Sequence, residues 1–339
     1  IMNGIALLII WVGGKNIDSG SIQVGDMMAF ITYTMQIVMS FLFFTFLMMQ
    51  LPRAEVAAGR INEVLETEVT VVDSKHIDDS KLQDVKGTLK FDNVSFTFDG
   101  ADSPVLSNIS FEAEAGKTTA IIGSTGSGKS TLLHLIPRYF DASEGEISID
   151  GVNIRDISLS KLRDTLGFVP QKGVLFSGNI ETNIKFADEN ITDEQMKKAA
   201  EIAQAIEFIN EKEDKFNSEI SQGGSNVSGG QKQRLSIARA LAKNPKILLF
   251  DDSFSALDYK TDVKLRKTLR EEMSGVTTII VAQRIATILN ADKIIVMNEG
   301  KIVGVGKHQE LLETCPTYLE IAESQLSEEE LQKGGKHHV

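Results

Sequence analysis

The sequence predicts an α/β domain built around a phosphate-binding loop, preceded by α-helical transmembrane segments. Three observations carry this. An apolar β-type run, Thr118 to Ile122, leads into Gly123-x4-Gly128-Lys129-Ser130 and a helix-prone stretch with Leu132, Leu133, Leu135 and Ile136, the strand–loop–helix context a P-loop needs. A second apolar run, Lys246 to Phe250, ends in the carboxylates Asp251 and Asp252, as a buried parallel strand at the edge of a site does. Met27 to Met49 is 23 residues long and carries no charge, where about 20 apolar residues span a bilayer.

At the N-terminal end, the first 50 residues hold three charged side chains, Lys15, Asp18 and Asp26, whereas the chain after Pro52 is densely charged. The mean hydropathy of −0.05 therefore averages two unlike parts. Ile1 to Gly14 is apolar but too short to span. It reads as the severed end of a longer helix, and the sequence as a C-terminal fragment of a larger protein. Lys15 to Gly25 reads as a polar loop. Thr32, Thr34, Gln36, Ser40 and Thr45 recur at helical spacing in the second segment, which fits a helix packed against others with one face on a cavity. Arg53 and Arg60 place its far end weakly on the cytoplasmic side. Pro52 to Glu66 is amphipathic and continues the helix into water. Residues 1–66 thus read as membrane domain, and 67–86, polar and acidic, as a linker.

Composition excludes several classes. The 339 residues carry a net charge of −12, which argues against a nucleic-acid binder working through a basic surface. A single cysteine, Cys315, excludes a disulfide scaffold or a CxxC site. The five histidines are scattered, and the tail pair His337 and His338 reads as terminus.

The residue types of the P-loop fit phosphate chemistry. In Gly123-Ser124-Thr125-Gly126-Ser127-Gly128-Lys129-Ser130-Thr131 the glycines let backbone N–H groups converge on phosphate oxygens at a helix N-terminus. Lys129 is placed to reach the β/γ-phosphates, and the Ser130 hydroxyl to ligate Mg²⁺ together with Asp251. Between the two strands, Val227-Ser228-Gly229-Gly230-Gln231 opens a basic helix. It forms a second anion cradle, or a plain glycine turn before a surface helix. A spare cradle points to a dimer in which each chain caps the other's ATP.

Taken together these motifs resemble the ATP-binding cassette of an ABC exporter half-transporter over residues 87–325, with residues 1–66 resembling its last membrane helices and 326–339 a flexible acidic tail. The resemblance implies a RecA-like core, an antiparallel β subdomain and an α-helical subdomain. Val227 to Gln231 resembles the signature that closes on a partner's ATP, Gln171 after Val169-Pro170 the Q-loop glutamine that joins Mg²⁺ to the membrane domain, and Ser255-Ala256-Leu257-Asp258 the D-loop. Phe98 stands where a tyrosine usually stacks on adenine. A π face is all that stacking needs, and a core strand aromatic is the competing reading. Lys172 to Ile184 would lie beneath the membrane domain.

Three positions depart from the family pattern, two of them at catalytic places. The catalytic base, a Glu after the Walker B Asp, is Asp252, and the switch histidine is Gln283. The Glu usual before the signature is Gln222. Asp is one methylene short of the attacking water, and a misplacement of about 1 Å can cost roughly 10²-fold in rate. Gln283 is neutral and cannot carry a proton. Binding chemistry is kept while hydrolysis chemistry is weakened. The expected protein is the degenerate-site subunit of a heterodimeric multidrug-type exporter in the cell membrane, with its cassette in the cytoplasm. Its ligands are ATP and Mg²⁺, its cargo a drug, lipid or peptide. Three readings stand beside it: a regulatory ATP-gated module without turnover, a slow homodimer, and a soluble DNA-repair type ATPase. The last is disfavoured by fewer than 100 residues between Ser130 and Ser228 and by the membrane-like head.

Overall fold

The computed structural model describes residues 2–74 and 77–326. It divides into two compact units, 1–69 and 70–339, so the expected tail beyond 326 lies outside the described residues.

In the first unit, helix α1 runs Met2–Asp18 and α2 runs Val24–Leu65. The polar loop is shorter than the composition implied. Lys15 to Asp18 complete α1, and the turn closes where Ser19 Oγ donates to Asn16 O and Gly20 takes φ +74. Asp26 caps the start of α2 by accepting from Gln23 N at 2.8 Å. The 42 residues of α2 run through Pro52 and make a rod of about 63 Å, roughly twice a hydrocarbon core. The hydroxyls of Thr32, Thr34, Ser40 and Thr45 donate to the carbonyls four residues back, at 2.8–2.9 Å. Their polarity is thereby satisfied within the helix. At Gly13 an added Cβ would meet Met27 Cγ at 2.9 Å, so α1 and α2 approach closely there.

In the second unit, the stretch read as a linker is strapped down from residue 70 onward. Asp73 Oδ1 accepts from Leu159 N and Asp79 from Ser158 N and Oγ, all at 2.8 Å. Leu82 is buried. Acidic residues that look solvated in sequence here serve backbone donors.

An antiparallel sheet follows. Strands β1 (Leu89–Phe96), β2 (Leu106–Ala113), β4 (Glu144–Ile149) and β5 (Val152–Asn153) are ordered β2-β1-β4-β5. Leu89, Phe91, Val94 and Phe96 of β1 face the core, with a register shift between Phe91 and Val94. The central sheet combines β3 (Thr118–Gly123), β6 (Leu166–Val169), β9 (Ile247–Asp251), β10 (Thr277–Val281), β11 (Lys293–Asn298) and β12 (Lys301–Gly306) in the order β12-β11-β3-β10-β9-β6. Only β12 is antiparallel. Continuous apolar runs such as Ile247-Leu-Leu-Phe250 are buried on both faces, which is what a parallel interior strand demands. A short ribbon pairs β7 (Gly178–Asn179) with β8 (Glu219–Ile220).

Helices α3 (Lys129–Leu135) and α4 (Leu159–Thr165) share one core with the antiparallel sheet, through Leu132, Leu133 and Leu162. Helices α5 (Ile180–Ile184), α6 (Asp193–Ile202), α7 (Ile206–Asn210) and α8 (Gly229–Ala242) form a helical layer. With α9 (Tyr259–Glu272), α10 (Ile285–Ile288), α11 (His308–Thr314) and α12 (Pro316–Glu323), they build a second core around Phe208, Leu235, Phe250 and Tyr318. The three expected parts, parallel core, antiparallel β subdomain and helical subdomain, are all present.

Candidate functional site

Strand register gathers the site. Val281 on β10 lies opposite both Ile121 on β3 and Asp251 on β9. The P-loop, the Asp251–Asp252 pair and the Gln283 loop therefore leave the sheet along one edge, where open α/β sheets place ligands.

The loop conformation is set by its glycines. A Cβ on Gly123 would collide with the Met297 carbonyl, and Gly128 holds φ +92 as the N-cap of α3. Ser124, Thr125 and Gly126 are exposed, Ser127 is buried, and Thr131 is half-buried in the first turn of α3. Lys129 is buried and folds back. Its Nζ donates to Gly123 O at 2.9 Å, to Ser124 O at 2.7 Å and to Ser127 Oγ at 3.3 Å. Burial pulls its pKa below the ordinary lysine value, against the raising influence of the Asp252 and Asp251 charges.

Ser130 Oγ donates to Asp251 Oδ1 at 2.7 Å. His134, one turn along α3, sets Nε2 3.6 Å from Asp251 Oδ2. Asp252 is buried and held in the left-handed region at φ +46. Its N–H donates to Val281 O, and its Oδ2 accepts from Gln171 Nε2 at 3.2 Å. Burial pushes its pKa above the usual carboxylate range, opposed by hydrogen bonds from the Gln171 side chain, the Gln283 backbone and Ser255. Gln283 itself is exposed.

Phe98 lies just past the end of β1, not within it. It is 39% exposed and packs edge-on against Phe96 and Phe140, with centroids at 4.7 and 5.3 Å. That position answers the core-strand alternative: the ring is anchored at its edges and still presents surface.

The signature caps α8. Ser228 Oγ accepts from Gln231 N at 3.2 Å, and Ser228 N donates to Gln231 Oε1 at 3.0 Å. Val227 is buried, while Ser228 and Gly229 are exposed. A Cβ on Gly230 would lie 3.6 Å from Ala256 O, so the signature meets the D-loop. In that loop Ser255 Oγ donates to Asp252 O at 2.8 Å, Leu257 is buried, and Asp258 caps α9 by accepting from Thr261 N at 3.0 Å. Among the described residues no hydrogen bond joins 227–231 to the P-loop.

Sequence reading missed Gln233. It is 1% exposed, donates Nε2 to Pro170 O at 3.1 Å and accepts from Gly173 N at 2.9 Å, clasping both sides of Gln171. Its signal in the sequence was slight: a polar residue between Lys232 and Arg234, one helical turn before the buried Ile237. Arg239, also on α8, stacks over Phe176 and Phe186 and donates to Asn183 O at 2.7 Å.

The chain is similar to known proteins. Residues 106–255 match the family model described as ABC transporter. The chain is 44% identical over 329 residues to an ABC transporter ATP-binding protein of Mycobacterium tuberculosis, covering 96% of this chain and 56% of that protein. It is 36% identical over 313 residues to the ATP-dependent lipid A-core flippase of Desulfotalea psychrophila, covering 92% and 54%. The structure of a bacterial Atm1-family ABC exporter with ATP bound superposes with a TM-score of 0.75 at 33% identity, over 96% of this chain and 56% of that one. The chain spans about half the length of these relatives. It carries the ATP-binding domain of the ABC transporter family, in the fold of an ABC exporter.

Proposed function

We propose that this chain is the nucleotide-handling part of an ABC exporter half-transporter that couples ATP binding and hydrolysis to movement of a substrate across the cell membrane. Its own P-loop site holds ATP and hydrolyses it slowly, and its signature completes the faster site of a second half-transporter. The observation that carries this is Asp252. Its short side chain springs from a backbone fixed at φ +46 and is drawn aside by Gln171, so it falls short of a water that a longer Glu would reach.

Each residue has a part in that reading. Lys129 exchanges its loop carbonyls for β/γ-phosphate oxygens, and the N–H groups of 124–131 complete the cradle. Phe98 stacks on the adenine. The oxygens of Ser130 and Asp251, already converged at 2.7 Å, with Gln171 bonded to the adjacent Asp252, suit Mg²⁺. The ion would neutralise charge on the phosphates. Gln283 holds the γ-phosphate by a neutral hydrogen bond and shuttles no proton. Ser228 and the N-terminal amides of α8, exposed and unobstructed at Gly229, present the second cradle to the partner's ATP. Closure on nucleotide is relayed from Gln171 to the membrane helices, with the cassette on the cytoplasmic side where Arg53 and Arg60 follow α2 out of the apolar span.

Purification of the full-length assembly, with single substitutions on each side, tests this. Removal of the partner's catalytic glutamate is expected to cost the roughly 10²–10⁴-fold that loss of a general base costs, whereas Asp252→Ala leaves most turnover intact. Turnover lost as fully in Asp252→Ala would sink the asymmetric reading and favour two equal sites.

A further inference from the structure

The Gln283 loop is held from two sides, and the second hold comes from far along the chain. Gln325 follows the end of α12, and its side-chain amide makes both of its hydrogen bonds to this loop. Nε2 donates to Gln283 O at 2.8 Å, and Oε1 accepts from Ile285 N at 2.9 Å. A planar primary amide used in this way imitates one rung of a strand ladder. It pairs with a carbonyl and an N–H two residues apart, and so fixes the backbone torsions between them. On the other side, Ala282 N donates to Ile121 O at 3.0 Å, and Asp252 N donates to Val281 O at 2.9 Å. Gln283 is thereby pinned through its backbone while its side chain stays exposed.

We propose that Gln325 is a positioning residue for the γ-phosphate contact of Gln283, tying the C-terminal helix to the nucleotide site. This rests on the reading of Gln283 given above. Gln is the side-chain type with the reach for it: Glu has no donor for Gln283 O, Lys has no acceptor for Ile285 N, and Asn is one methylene shorter. The residue is not a packing element. Tyr318 and Ala322 bury α12, whereas Gln325 is itself exposed, so its loss leaves the helix seated.

The γ-phosphate distinguishes ATP from ADP, so the readout is nucleotide preference at this chain's own site. The full-length assembly is photolabelled with 8-azido-ATP, competed with ATP or ADP, and the label is read on this chain after denaturing separation. Gln283→Ala is expected to lower the ATP-over-ADP preference several-fold. Gln325→Ala should lower it by a similar factor, and the double variant no further, since two residues acting through one contact are not additive. Gln325→Glu should fall with Gln325→Ala. A purely structural role would weaken ATP and ADP alike and add to Gln283→Ala. Retention of the parent preference in Gln325→Ala, while Gln283→Ala loses it, overturns the positioning role alone. An unchanged preference in Gln283→Ala overturns the γ-phosphate reading of Gln283, and the positioning role with it.

Discussion

At the scale of single residues, the chemistry of the site turns on how buried charges are partnered. Asp252 is buried and in no salt bridge among the described residues, and its hydrogen bonds offset the desolvation only in part. Its folded pKa lies above the ordinary aspartate value near 3.9. Between those two values the folded state binds a proton that the unfolded state lacks, so this residue's contribution to stability falls as pH rises through that window. Asp252→Asn removes the titration. The melting temperature of the nucleotide-free variant, relative to the parent, should therefore increase from pH 4 to pH 7. Thermal unfolding at both pH values checks this, and a difference that shrinks or stays flat would refute it. The identity of Asp252 and Gln283 was legible in the sequence because each occupies a fixed offset from a strand end. The φ of +46 and the grip of Gln171 were not, since they arise from residues about 30 to 80 positions apart.

At the scale of elements, the parallel strands β3 and β9 followed from their apolar runs. The turn after α1 was misjudged because Lys15 to Asp18 are polar yet still complete a helix, and polarity alone does not end one. The strap at 70–82 was hidden for a related reason. Asp73 and Asp79 find backbone donors at 158 and 159 that no local pattern announces. The same applies to the clasp between α8 and the Q-loop. Gln233→Leu would leave Pro170 O and Gly173 N without their partner, at a cost of about 1–3 kcal/mol. We expect a lowered melting temperature together with weaker coupling of ATP turnover to transport in the full-length protein. A variant that melts lower yet couples normally would assign Gln233 to stability alone.

At the scale of the whole molecule, an apolar head and an acidic, nucleotide-binding body share one chain. The single native cysteine, Cys315, is buried, which leaves a quiet background for labelling. A cysteine placed at Phe43 should resist a membrane-impermeant maleimide in intact vesicles, whereas one at Val64 should react once the cytoplasmic face is opened. Equal reactivity at both sites would remove the span from the membrane. Among the described residues α2 is the one helix long and apolar enough to cross a bilayer, and it runs without a break from Val24 to Leu65. A rod of about 63 Å acts as a lever. A tilt of only about 5° at one end sweeps the other through about 5 Å, comparable to one helical turn. Small angular adjustments at the aqueous end of α2 are thus geometrically equivalent to large excursions at its opposite tip, with no hinge required between them.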